Sequence, residues 1–79
     1  MTIIDLLEKI ANGELVPNKI IFREVEWSFN PYAYDYKQND GDIYLFENLF
    51  TYEMARTFLN EPVEIIGDEK RWKHTLSFN

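Results

Sequence analysis

The chain of 79 residues carries one histidine, His74, and no cysteine, so the side chains able to act as nucleophile or base are few. Ser28 and Ser77 are its serines, and neither stands in a G-x-S-x-G turn. A triad would require one of them to converge with His74 and an acid, which no spacing here enforces. Zinc chemistry lacks a second histidine or a cysteine pair. The run QNDGD, followed by Glu47, invites a calcium-loop test. With Gly41 sixth in such a loop Glu47 falls twelfth, but Tyr36 and Gln38 then take the first and third positions and are poor ligands, so the run reads as a turn. Gly13, Gly41 and Gly67 belong to no phosphate-cradling motif. The expectation is a non-enzymatic chain without metal or cofactor.

Recognition chemistry is better represented than reaction chemistry. Tyr32, Tyr34, Tyr36 and Tyr44 concentrate in one stretch beside Asp35, Asp40 and Asp42. Tyrosine joins apolar area to a polar tip and is enriched in interface cores. These seven residues are the candidate partner-binding set. The bland reading of the same rings is that they close a small core and leave their hydroxyls in water. Net charge is −6 and unevenly spread. Residues 35–69 hold nine acids and two bases, whereas residues 70–79 hold three bases and no acid. An acidic middle repels phosphate, which argues against direct nucleic-acid binding and for basic partners.

The elements that must position these residues can be read from hydropathy. Thr2 is a candidate N-cap with Asp5 three residues on, and Ile3, Leu6, Leu7 and Ile10 share one helical face. Gly13 and Pro17 stop that helix. In KIIFREVEWSF, Ile21, Val25, Trp27 and Phe29 alternate with Glu24, Glu26 and Ser28, which predicts one half-buried strand with Arg23 interrupting its apolar face. A hairpin is expected next, with Tyr32, Tyr34 and Tyr36 in one arm, Ile43 to Phe46 in the other, and Asp40-Gly41 supplying positive φ at the reversal. Leu49, Phe50, Met54, Phe58 and Leu59 predict a second helix, capped by Asn48 or Thr51 and ended by Asn60 and Pro62. VEII reads as a short strand, GDEK as a turn, and RWKHTLSF as a final strand.

The predicted fold class is α+β, one domain over 1–79. It has a mostly antiparallel sheet of four to five strands, two helices on one face, and the order α-β-β-β-α-β-β. No apolar run reaches the roughly 18 residues of a membrane span, so no membrane association is expected. The N-terminus lacks a basic region and a small-residue cleavage site, so it does not read as a signal peptide. The missing cysteines point weakly to the reducing cytosol.

MTIIDLLEKIANGELVPNKIIF, followed by YLFENLF and LNEPVEII, resembles small uncharacterised phage and prophage proteins of Gram-positive bacteria, which share a TIIDLL-KIANGE-VP-KI beginning. The resemblance spans most of residues 1–66 and is densest over the first 20. EKRWKHTLSFN departs from the charged tail of that group. The resemblance implies an accessory phage product made in the host cytoplasm, binding a host or phage protein, with inhibition of that protein as the sharper version. It supplies no functional residue. The alternative is a structural homo-oligomer in which Trp72, Leu76 and Phe78 pair edge to edge with a copy.

Overall fold

The structure, a computed structural model, describes residues 1–70; the strand expected over 71–78, with His74 and Ser77, lies outside them. Helix α1 (Ile3–Ala11) begins with a complete capping box. The Asp5 amide donates to Thr2 Oγ1 at 3.4 Å, and the Thr2 amide donates to Asp5 Oδ2 at 2.9 Å. The next two amides, which no intrahelical carbonyl can reach, donate outside the helix. Ile3 N–H reaches the Glu61 carbonyl at 3.1 Å and Ile4 N–H the Leu59 carbonyl at 2.9 Å. Past the helix Gly13 takes φ 68°, the left-handed conformation that closes many helix ends. Ile3 and Leu6 are buried, and Leu7 and Ile10 pack beside them, so the stripe is core.

The strands that follow are β1 (Val16–Pro17), β2 (Lys19–Phe22), β3 (Val25–Asn30) and β4 (Asp35–Gln38). Helices α2 (Leu45–Tyr52) and α3 (Ala55–Phe58) precede β5 (Glu64–Ile65) and β6 (Glu69–Lys70). The main sheet runs β4-β3-β2-β5, antiparallel throughout, and β1 pairs with β6 in a separate two-stranded ribbon. Ile20 faces Trp27 and Phe29 faces Tyr36 across the ladders, so one sheet face carries Ile20, Phe22, Trp27, Phe29 and Tyr36. Ile3 and Leu6 from α1, Leu45, Phe46 and Leu49 from α2, and Phe58 from α3 join the same buried cluster. Each such side chain fully removed from water contributes about 1.5–3 kcal/mol before entropy is counted. The α+β class with an antiparallel sheet holds.

Local readings differ from this in six places. KIIFREVEWSF is a hairpin and not one strand: Arg23 and Glu24 form its two-residue turn at φ 52° and 66°. Two positive φ values in such a loop match the twist of the flanking strands, but sequences normally supply Asn or Gly there. Residues 31–34 are a turn, so the arm expected to start at Tyr32 starts at Asp35. The opposite arm shrinks to a bridge between Lys37 and Tyr44, because Leu45 and Phe46 already belong to α2. The reversal needs no left-handed residue: positive φ among the described residues falls at Gly13, Arg23, Glu24 and Tyr34, not at Asp40 or Gly41. The second helix is broken at Glu53 and Met54, both extended, which leaves Phe50 and Met54 exposed instead of buried. In GDEK, Glu69 and Lys70 leave the turn to pair with Pro17 and Val16.

Candidate protein-interaction face

The seven candidate residues divide into a structural pair and a surface group. Asp35 is 7 % exposed, and its carboxylate accepts three backbone N–H groups: Tyr36 at 2.6 Å, Phe46 at 2.8 Å and Glu47 at 3.0 Å. Two of these donors open α2, whose own N-cap, Tyr44, makes no side-chain hydrogen bond. Asp35 therefore caps α2 from the neighbouring strand, a task expected of Asn48 or Thr51. Burial pushes its carboxyl above the ordinary value, against the downward pull of the three amides. Tyr36 is fully buried and donates its hydroxyl to the Pro17 carbonyl at 2.6 Å. Its ring meets Phe29 and Phe46 edge-on, at 5.0 and 5.8 Å between centroids. Burial raises its phenol above the ordinary tyrosine value.

The other five reach the surface. Tyr32 is 82 % exposed on the 31–34 turn, where its amide donates to Asn30 Oδ1 at 2.9 Å. Tyr34 is exposed and carries φ 54°. Tyr44 is half-buried, and its hydroxyl accepts from Asn30 Nδ2 at 2.8 Å. Asp40 and Asp42 are exposed on the loop, with Asp42 3.7 Å from the Lys37 ammonium.

Sequence reading missed the wall that completes this surface. With Leu45, Phe46 and Leu49 turned into the core, helical spacing turns Glu47, Asn48, Thr51 and Tyr52 outward. Together with Asp42, Ile43 and Tyr44 they line an open groove of about 340 Å³. A second hollow, of about 310 Å³ between Ala33, Asp35, Tyr44 and Glu47, shares Tyr44 and Glu47 with the first. Tyr52 is 78 % exposed. The 45/46/49 spacing carries the signal for this wall, but reading Ile43 to Phe46 as a strand arm takes Leu45 and Phe46 out of the helix.

A different cluster ties the far end of α2 to the sheet. The Arg23 guanidinium donates through Nη1 and Nη2 to Glu53 at 2.7 and 2.9 Å, and through Nε to Glu61 Oε1 at 2.9 Å. A further bond joins Nη2 to Glu61 Oε2. The guanidinium also lies 4.9 Å from the centre of the Phe22 ring. These bonds hold both carboxyls below the ordinary glutamate value and the guanidinium above its own. Four of the five guanidinium N–H groups bond carboxylates, so the cluster acts as a brace.

The open sheet face, opposite the core, carries a polar network. Ser28 Oγ donates to Asn39 Oδ1 at 2.7 Å, Asn39 Nδ2 donates to Glu26 at 2.6 Å, and Lys19 stands 3.9 Å from Glu26. Among the described residues no group of three His, Cys, Asp or Glu side chains could hold a metal ion, and no helix is long and apolar enough to cross a membrane. Comparison of the chain with protein-family models, with curated proteins and with solved structures gave no match.

Proposed function

We propose that the protein is a non-enzymatic interaction domain of the phage accessory type, acting in the host cytoplasm by binding a host or phage protein. Inhibition of that protein is the sharper form of the same reading. The observation that carries it is the exposed Tyr52 ring lining an open groove with Asp42, Tyr44 and Glu47, with Tyr32 and Tyr34 exposed on the turn that carries Ala33 of the adjoining hollow. Exposed aromatic rings around a hollow are what hot-spot residues look like before a partner covers them. The sheet's open face, with its polar groups already paired, supplies a built-in control. Affinity capture from a Gram-positive host lysate tests the reading. A Tyr32→Ala/Asp42→Asn/Tyr52→Ala variant should lose the captured protein, while Lys19→Ala/Ser28→Ala keeps it. Equal capture by all three chains would remove this face from consideration.

A self-associating role is the second reading. It is supported by the outer edge of β5, at the end of the sheet, with Ile65 and Ile66 39 % and 42 % exposed. Sedimentation at high micromolar concentration separates it: a dimer supports self-association, and a monomer dismisses it.

A further inference from the structure

Resting on the interaction reading above, we infer that the groove between the 42–44 segment and α2 takes arginine side chains from a basic segment of the partner protein. Three features of the groove converge on guanidinium. Its carboxylates are Asp42, from the loop, and Glu47, from the helix. Glu47 makes no ion pair among the described residues, and Asp42, 3.7 Å from the Lys37 ammonium, keeps its side chain exposed to solvent. The aromatic surfaces are Tyr44, held in place by Asn30, and Tyr52, 78 % exposed. A planar guanidinium can lie flat on a ring while its edge bonds a carboxylate bidentately, a match that the compact ammonium of lysine lacks. Asn48 and Thr51 add neutral acceptors on the same wall.

Charge complementarity selects the occupant. Residues 32–54 hold five acids and one base, Lys37. An acidic partner would have to set its own carboxylates against this surplus, of which Lys37 offsets only Asp42. The protein supplies a working example of the same recognition elsewhere, because Arg23 combines two carboxylates with the Phe22 ring in one site. The groove is lined by the same kinds of partner, two carboxylates and aromatic surface.

The test uses three labelled Gly-Ser peptides that differ only in carrying arginine, lysine or glutamate at the same positions. Each is titrated into the full chain and followed by amide chemical shifts and fluorescence anisotropy. The expected result is binding of the arginine peptide with shifts centred on Asp42 to Thr51. The lysine peptide should bind about fivefold more weakly, and the glutamate peptide not at all. Surface ion pairs and an exposed cation–π contact each contribute a few-fold, so Asp42→Asn/Glu47→Gln/Tyr52→Ala should weaken arginine binding about thirtyfold. Equal affinity for arginine and lysine, shifts scattered over the whole acidic surface, or an unaffected triple variant would overturn the proposal. Placing a photo-crosslinking residue at position 52 separates its failure from that of the interaction reading. Capture there of a partner without a basic segment, or of a second copy of this chain, overturns the arginine site while leaving a working interface.

Discussion

Asp35 and Asp42 are the same side chain, and their surroundings give them different tasks. Asp42 is solvated on the loop, whereas Asp35 is buried and accepts three amides, two from the first turn of α2. Asp35→Ala should therefore cost about 2–3 kcal/mol, measured by urea unfolding, since it leaves those amides without their acceptor. Asp42→Ala should change stability by less than about 0.5 kcal/mol. The pH dependence has a defined sign. Hydrogen bonds from Thr2 to Asp5, and from Arg23 to Glu53 and Glu61, hold these three carboxyls below their ordinary values of 3.8 and 4.5. Their contribution is complete above those values and is lost as pH falls through the depressed ones. Asp35, raised by burial, works in the opposite sense: its contribution is present below its ordinary value and is lost as pH rises through the raised one. Stability should fall on acidification below about pH 4.5, and more steeply in Asp35→Asn, which lacks the one opposing group. An equal slope in the two proteins would contradict this assignment. None of it could be read from sequence, where Asp35 looked like one more acid among tyrosines.

At the scale of elements, legibility followed the presence of local signals. The capping box of Thr2 and Asp5 and the glycine at position 13 wrote α1 into the sequence at both ends. The β2–β3 reversal carries no such signal, because Arg23 and Glu24 hold φ values that favour Asn or Gly. Arg23 is kept by its brace to Glu53 and Glu61, a long-range reason invisible in a local window. Glu24 makes no hydrogen bond or ion pair among the described residues, so it bears the backbone cost without a return contact. Glu24→Gly should stabilise the fold by about 0.5–1 kcal/mol, by relieving the left-handed strain, and thermal unfolding would show it. A loss of stability would mean that the turn is not held as described. Gly67 shows the opposite constraint. A Cβ there would stand 2.0 Å from Asn18 Oδ1 and 3.1 Å from Lys19 Cβ, so Gly67→Ala must displace the Asn18 side chain and should lower the thermal unfolding midpoint. The break after α2 was equally silent, since YEMAR contains neither glycine nor proline. It moved Phe50 and Met54 from expected core to surface, and it leaves Tyr52 at the exposed end of α2.

Over the whole molecule, sheet and helices divide the labour. One sheet face and three helices close the core, and the other sheet face pairs its own polar groups. An exposed acidic and aromatic surface collects where the 42–44 segment meets α2. Composition made an acidic, tyrosine-bearing surface legible, but not its location, because Asp35 and Tyr36 belong to the interior and the Tyr52 wall appears only once α2 is phased from Leu45. Calorimetric titration of the captured partner tests this division most directly. Wild-type protein would be compared with Asp42→Asn/Glu47→Gln/Tyr52→Ala on the groove and Lys19→Ala/Ser28→Ala on the open sheet. The expected result is at least about tenfold weaker binding for the groove variant and affinity within about twofold of wild type for the sheet variant. Unchanged affinity for the groove variant, or loss confined to the sheet variant, would contradict the assignment of the interaction face.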